Sequence, residues 1–146
     1  MASWRSLSAA ILVAMGMQAG VPNDLRTSLD AARQKWEARK PRSYEFTIEV
    51  RFFGRTEKPS SFRVAAGTPL IVGEPAEPPR RFYDSYNTVE KLFDRIHESL
   101  TVGRDQSSVQ YDGDLGYPTR ADLDPRRGMI DDELYFRVTN FRVVEK

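Results

Sequence analysis

The chain has 146 residues, with 22 basic and 21 acidic side chains, 40% hydrophobic residues and no cysteine. This length is typical of one folded domain, and this hydrophobic content excludes an intrinsically disordered chain. The near-zero net charge excludes the electrostatic basis on which proteins bind nucleic acids or anionic membranes. The lack of cysteine excludes disulfide bonds, thiolate nucleophiles and cysteine-based metal sites.

The first 20 residues have the layout of a secretory signal peptide. Arg5 supplies a positive charge, an apolar run follows from Leu7 to Met17, and small residues come after it. The apolar run is shorter than the roughly 20 residues that a membrane-spanning helix needs. We therefore predict a signal peptide at 1–20 and a single exported domain at 21–146, periplasmic or extracellular, without a membrane span or a lipid anchor. A buried N-terminal helix is the alternative interpretation.

Two segments show the three- and four-residue spacing of an amphipathic helix. The apolar stripe of the first consists of Leu25, Leu29, Ala32 and Trp36, and that of the second of Val89, Leu92, Phe93, Ile96 and Leu100. Asn23 is the predicted N-cap of the first helix, and Pro41 follows its end. For the second helix the predicted N-cap is Asn87 or Thr88, and Asn87 would place Glu90 in a capping box.

Six segments are predicted strands: five alternate apolar and polar residues, as half-buried strands do, and the short segment 70–72 is apolar throughout. They are 44–52, 61–66, 70–72, 107–111, 117–124 and 134–143. In the last segment the alternation through Phe136 and Val138 resumes out of phase at Phe141. This break predicts a β-bulge near Thr139 and Asn140.

The element order α-β-β-β-α-β-β-β, with short connections between strands, predicts an α+β fold. The expected architecture is one antiparallel sheet of about five to six strands with both helices packed on one face. A cystatin-like curved sheet that wraps around a helix is the alternative.

Trp36 in the first helix is followed by four segments with a recognisable pattern. They are SYEFTIEV at 43–50, TVEKLFDRI at 88–96, YDGDLGYPTRADLDP at 111–125 and IDDELYFRVTNF at 130–141. Together they resemble an uncharacterised family of exported bacterial proteins, the domain of unknown function 6174. The resemblance implies an exported domain with no known activity, substrate or catalytic residue. It also implies a lipid-attachment cysteine in many members, which this chain lacks.

The segment 73–87 contains three prolines and is predicted to be a loop without regular structure. Its arginine and aromatic residues are of the types enriched at binding hot spots. These candidate binding residues are Arg80, Arg81, Phe82, Tyr83 and Tyr86. They indicate a surface for a protein or small-molecule partner, and the alternative is that the rings pin the loop to the core.

Acidic residues are concentrated between 112 and 133, and four of them are candidate ligands for a hard cation such as calcium. Asp122 and Asp124 share one face of a predicted strand, and Asp131 and Asp132 begin the next strand. No EF-hand order is present. The alternative is that these acids occupy turns and pair with neighbouring arginines such as Arg120.

No catalytic constellation is evident in the sequence. His97 is the one histidine, and no nucleophile motif accompanies it. We therefore predict a non-enzymatic exported module, without a cofactor, that binds a protein or a small ligand. The alternatives are a calcium-stabilised extracytoplasmic domain and, third, a hydrolase with an unrecognised site.

Overall fold

The computed structural model describes residues 24–73, 81–103, 106–124, 126, 128 and 133–145. The helices are α1 (Leu25–Arg39), a short 3-10 helix η1 (Arg81–Ser85) and α2 (Val89–Val102). The strands are β1 (Ser43–Phe52), β2 (Arg55–Thr56), β3 (Ser60–Ala65), β4 (Thr68–Val72), β5 (Ser108–Tyr111), β6 (Pro118–Leu123) and β7 (Leu134–Val143). Neither α-helix of this described part has the length and hydropathy needed to cross a membrane.

The strands form one antiparallel sheet with the order β4-β3-β1-β7-β6-β5, and the two-residue β2 pairs with β1 alone. Both α-helices contact each other and share one core with a single face of the sheet, which we call the inner face. The other face, the outer face, carries the polar residues of the alternating strands. The predicted α+β architecture, with one antiparallel sheet and two packed helices, is therefore confirmed.

The core between the helices and the inner face explains why alternation in the sequence located the strands. Its largest fully buried side chains include Trp36, Tyr83, Phe46, Phe93 and Phe136. Along β1, the buried residues Tyr44, Phe46, Ile48 and Val50 alternate with residues that point to the outer face. Burial of apolar area contributes about 25 cal/mol per Å², so this continuous core is the main source of stability.

Glu45 is a buried acid on the outer face of β1, 7% exposed, between arginines from the two neighbouring strands. Arg63 of β3 donates from Nε to Glu45 Oε1 at 2.5 Å, and Arg142 of β7 donates from Nε to Glu45 Oε2 at 2.7 Å. The hydrogen bonds from Arg63 and then from Arg142 hold the pKa of Glu45 below its ordinary value of 4.5. The triad therefore ties three adjacent strands together.

Replacement of Glu45 by glutamine should lower the melting temperature at pH 7, because the two arginines lose a charged acceptor. A carboxylate with a lowered pKa stabilises the folded state above its unfolded pKa, and this stabilisation disappears as the pH falls through the folded pKa. The difference between wild type and Glu45→Gln should therefore shrink progressively below about pH 4.5. Thermal melts from pH 7 to 3 measure it, and a difference that stays constant over this range would contradict the account.

A β-bulge in β7 restores the inward alternation of its last residues. Thr47 of β1 lies opposite Thr139, but Glu45 lies opposite Arg142, so β7 has one extra residue between these pairs. Asn140 in this interval has a positive φ of 52°. The bulge predicted near Thr139 and Asn140 is therefore confirmed. Its consequence is that the ring of Phe141 turns inward and stacks on Tyr117.

The structure gives α1 an N-cap other than Asn23 and chooses one of the two predicted N-caps for α2. Asp24 is the N-cap of α1, and its carboxylate accepts from the backbone of Arg26, whereas Asn23 lies outside the described residues. Thr88 is the N-cap of α2, and its side chain accepts from the backbone of Lys91. The capping box built on Asn87 is therefore wrong, since Glu90 lies one residue too early to close it on Thr88.

Glu90 instead binds side chains from α1 and β1. Its carboxylate accepts a hydrogen bond from the indole nitrogen of Trp36 at 2.9 Å and from the hydroxyl of Tyr44 at 3.3 Å. Burial raises the pKa of the Tyr44 hydroxyl well above its ordinary value, so this hydroxyl stays a donor. The same hydroxyl accepts from the backbone of Val89 at 3.1 Å. The start of α2 is thus joined to both α1 and the sheet.

The connection between β5 and β6 docks on α1. The carboxylate of Asp112 accepts from the backbone of Leu115 at 2.7 Å, which closes a turn. Lys35 and Arg39 of α1 each donate at 2.9 Å to a backbone carbonyl of this connection, at Gly113 and Asp114. The carboxylate of Asp112 therefore serves turn geometry, and the carbonyl groups of Gly113 and Asp114 bind the helix.

Two-residue turns join β1 to β2 and β3 to β4. Their central residues are Phe53–Gly54 and Ala66–Gly67, and all four have positive φ values of 48° to 82°. Positive φ at both central residues is typical of a type I′ hairpin turn, in which Asn, Asp or Gly is the preferred first residue. A phenylalanine at this place is a genuine outlier. Phe53 is also 47% exposed, so core packing does not account for it.

Candidate functional site

A cavity of about 410 Å³ opens beside Phe53, between η1, α2 and the adjoining ends of β1 and β7. We call it the aromatic pocket. Its main lining residues are Phe52, Phe53, Arg81, Phe82, Tyr86 and Arg95. This volume lies within the range of about 300–1,000 Å³ that is usual for small-ligand sites.

Four neighbouring rings form the apolar wall of the aromatic pocket. Phe52 has its centroid 4.3 Å from that of Phe53 and 5.4 Å from that of Phe82. Phe82 in turn lies 5.4 Å from Tyr86. The 3-10 helix η1 positions Phe82, because one turn of helix places it between the sheet and the start of α2. The predicted absence of regular structure at 73–87 is therefore wrong for residues 81–85.

Arg81 and Arg95 are the basic residues of the aromatic pocket, and Glu133 is its acidic residue. Arg95 projects from α2 with its guanidinium 5.6 Å from the ring centroid of Tyr86, and it donates to Glu98 at 2.7 Å. The Nε of Arg95 is buried and has no acceptor among the described residues. Burial raises the pKa of Tyr86, so its phenol stays neutral beside this cation. The pocket thus combines apolar rings with hydrogen-bond donors, the composition that suits an apolar group with a charged or polar end.

A second cavity, of about 480 Å³, adjoins the first on the outer face. We call it the charged pocket, after Arg51, Arg120, Asp122, Asp124 and Tyr135, which line it. The guanidinium groups of Arg51 and Arg120 lie 4.5 Å and 5.3 Å from the ring centroid of Tyr135. These distances are within the range of cation–π contacts. Here basic, acidic and aromatic groups lie together at the end of the sheet.

The two pockets meet at Phe53. The residues that line both are Phe52, Phe53, Glu133 and Leu134. Phe53 is therefore a bulky, half-exposed ring with strained backbone at the junction of two cavities. Strain of this kind costs on the order of 1–3 kcal/mol and is concentrated in proteins at binding and active sites.

The structure brings together only part of the predicted loop site. Arg81, Phe82 and Tyr86 line the aromatic pocket. Tyr83 belongs to the core instead, since it is 2% exposed and its hydroxyl donates to the backbone carbonyl of Lys58 at 2.5 Å. Arg80 lies outside the described residues.

Several residues of the site were missed by the sequence prediction. Phe52, Phe53 and Tyr135 come from strands and a turn that are distant from the loop in the chain, and Arg95 comes from the helix that follows the loop. One local signal was present, because Phe53–Gly54 interrupts the alternation of β1 where a hairpin turn requires positive φ.

The predicted calcium ligands remain a prediction. Asp122 is exposed on the outer face of β6, and Asp124 follows the end of that strand, so both line the charged pocket. Asp131 and Asp132 lie outside the described residues. Within the described ranges, no three acidic or histidine side chains are grouped closely enough to bind a metal ion. His97 is exposed on α2 and lines neither pocket.

Comparison with known proteins identifies one family. The sequence model of a family of unknown function, DUF6174, matches residues 28–143, which includes every helix and strand except the first turn of α1. No curated protein and no solved structure matches the chain.

Proposed function

The chain belongs to the family of unknown function DUF6174, and we propose that it is a non-enzymatic, exported module that binds a small ligand. The ligand places an apolar ring in the aromatic pocket, against Phe52, Phe53 and Phe82. The charged lining residues Arg81, Arg95 and Glu133 favour a ligand that also carries a charged or polar end.

The backbone of Phe53 is the observation that carries this proposal. An asparagine or glycine at this turn would relieve strain, and a polar residue would remove an exposed ring from solvent. Phenylalanine has neither advantage for folding. Its presence is accounted for if the ring contributes contact area to a ligand, as preformed apolar pockets do.

Nuclear magnetic resonance titration of the ¹⁵N-labelled protein tests the proposal. The probes are 3-phenylpropionate and 2-phenylethylamine, which share a phenyl ring and differ in charge. Amide shifts should be largest at Phe53, Ser85, Tyr86 and Arg95, next to the aromatic pocket. Shifts spread over other faces, or none up to about 10 mM of either probe, would refute a ring-binding site here.

A matched variant separates the pocket from general surface hydrophobicity. Leu70 on the edge strand β4 is 61% exposed and lies outside both pockets. Replacement of Leu70 by asparagine should leave the pattern of shifted amides and both probe affinities unchanged. A loss of binding in this variant would point to nonspecific adsorption on exposed apolar side chains.

The export part of the proposal rests on the layout of residues 1–20, with Arg5 before an apolar run. The chain fused ahead of a leaderless alkaline phosphatase, which needs its disulfides to be active, should give phosphatase activity in bacterial cells. Replacement of Leu12 by arginine interrupts the apolar run and should abolish that activity. Equal activity of both fusions, or none from the wild-type fusion, would contradict export.

A further inference from the structure

We propose that the ligand is zwitterionic, with its ring in the aromatic pocket and an adjacent carboxylate and ammonium in the charged pocket. Free amino acids and short peptides with an apolar side chain have this chemistry. The inference rests on the proposed function, since it assigns the charged end of the same ligand.

Two arginines supply the carboxylate-binding half of the charged pocket. Arg51 and Arg120 come from β1 and β6, which flank β7, and both guanidinium groups face the ring of Tyr135. Neither forms an ion pair with a carboxylate among the described residues, in contrast to Arg137 on the same face, which lies 3.5 Å from Glu49. A ligand carboxylate in this cavity can accept charge-assisted hydrogen bonds from guanidinium groups, whose planar set of donors suits carboxylates.

Acidic groups supply the ammonium-binding half. Asp122, Asp124 and Glu133 line the same cavity as the two arginines. The Oδ1 of Asp124 is buried and has no hydrogen-bond donor among the described residues. Leaving a buried acceptor without a donor is unfavourable, and an ammonium group with three N–H donors can satisfy it.

The backbone of Asp124 is fixed before any ligand binds. Its amide donates to the hydroxyl of Ser107 at 3.1 Å, and its carbonyl accepts from the amide of Gln106 at 3.1 Å. A carboxylate on a fixed backbone loses less conformational entropy on binding. The acidic half therefore belongs to the ordered part of the site.

The two pockets adjoin each other and share Phe52, Phe53, Glu133 and Leu134 in their linings. A small molecule that reaches past these residues would contact both pockets. A phenyl ring and an α-carbon that carries both charges are joined by a single methylene in phenylalanine. A simple anion would satisfy Arg51 and Arg120 alone, and a cation would satisfy only the acids.

Isothermal titration calorimetry of the purified protein with four probes tests the inference. They are L-phenylalanine, L-phenylalanylglycine, 3-phenylpropionate, which lacks the ammonium, and 2-phenylethylamine, which lacks the carboxylate. At least one zwitterion should bind about tenfold or more tightly than both single-charge analogues, since each charged hydrogen-bonded contact is worth about a factor of ten. A preference for the dipeptide would identify peptides rather than free amino acids as the source of this chemistry.

Single substitutions in the carboxylate-binding half and in the ammonium-binding half of the charged pocket should lower the affinity for different probes. Arg120→Gln should weaken the binding of the zwitterion and of 3-phenylpropionate but leave the affinity for 2-phenylethylamine unchanged. Asp124→Asn should weaken the binding of the zwitterion and of 2-phenylethylamine but leave the affinity for 3-phenylpropionate unchanged. Arg137→Gln on the same face, outside the pocket, should change none of them. Circular dichroism of each variant establishes that it is folded.

The outcomes separate this inference from the proposed function. Equal affinity of the zwitterions and the single-charge analogues would overturn the zwitterionic ligand and leave the ring-binding pocket in place. If the phenyl probes do not bind at all, both proposals fail. If the preference for the zwitterions is present but is unchanged in Arg120→Gln and Asp124→Asn, the charged pocket does not bind the charged groups of the ligand. The inference is then also overturned.

Discussion

Replacement of Gly116 by alanine should destabilise the protein by roughly 2–4 kcal/mol. Gly116 has a φ of +85°, which an alanine adopts only with strain. A Cβ atom there would lie 2.6 Å from the backbone carbonyl oxygen of Ala32 and 3.0 Å from the Cβ of Lys35. Since the close contact is with helix backbone, the connection between β5 and β6 would have to move away from α1. Urea denaturation followed by circular dichroism measures the change.

Gly113 in the same connection is the matched control. A Cβ atom at Gly113 would meet nothing within 4 Å, and its φ lies outside the left-handed region. Gly113→Ala should therefore change the free energy of unfolding by less than about 1 kcal/mol. If Gly116→Ala were as mild as Gly113→Ala, the close docking of this connection on α1 would be refuted.

Replacement of Trp36 by alanine should cost roughly 3–5 kcal/mol, the usual range for removal of a large buried ring. The Trp36 side chain is fully buried and makes edge contacts with Tyr44, Tyr117 and Phe141, at centroid distances of 5.2–6.4 Å. Its removal leaves a cavity where α1, β1 and the end of β7 meet. It also leaves Glu90 without its indole donor.

Trp36→Phe distinguishes ring packing from the hydrogen bond. Phenylalanine retains most of the buried ring area but lacks the indole N–H, so the loss should be about 1–2 kcal/mol. Denaturation of both variants gives the comparison. Equal losses for alanine and phenylalanine would mean that the contact with Glu90, and not the packing of the ring, dominates at this position.

Much of the fold was predictable because the apolar positions of the local sequence patterns are the positions that are buried in the core. The strands β1 and β7 alternate in the sequence as they do in the structure, and the out-of-phase Phe141 correctly located the bulge at Asn140. Antiparallel pairing followed from short connections, since hairpins leave few other topologies. The structure of these segments depends mainly on residues that are close together in the sequence.

The caps and turns show where local patterns are insufficient. Asn87 and Thr88 are both good N-cap residues, and the sequence alone did not choose between them. In the structure Thr88 caps α2, and Glu90 is turned toward Trp36 and Tyr44, which are more than 40 residues away in the chain. Tertiary contacts therefore decided which of two acceptable local solutions was used.

The candidate site was the least predictable part of the molecule. The loop composition identified Arg81, Phe82 and Tyr86, but the pocket also needs Phe53 from the first hairpin and Arg95 from the middle of α2. Convergence of residues from distant elements is set by topology, which residue spacing does not encode. The loop composition also identified Tyr83 as a binding residue, but its ring lies in the core and its hydroxyl donates to the carbonyl of Lys58.

The hairpin turns offer an internal comparison of stability and function. Phe53 and Ala66 occupy the same position in two turns of the same kind, with φ values of 50° and 48°. Asparagine tolerates this conformation better than either residue, so Phe53→Asn and Ala66→Asn should each stabilise the protein by roughly 0.5–1 kcal/mol. Only Phe53 borders the two pockets, so only its substitution should affect a ligand.

The most direct test of the binding site measures both properties on the same two variants. Thermal melts and calorimetric titration with 3-phenylpropionate should show that both variants melt at or above the wild-type temperature, and that Phe53→Asn alone binds at least about fivefold more weakly. This result would establish that Phe53 is retained for binding at a cost in stability. Unchanged affinity in Phe53→Asn, or an equal loss in Ala66→Asn, would contradict a ligand site at this junction.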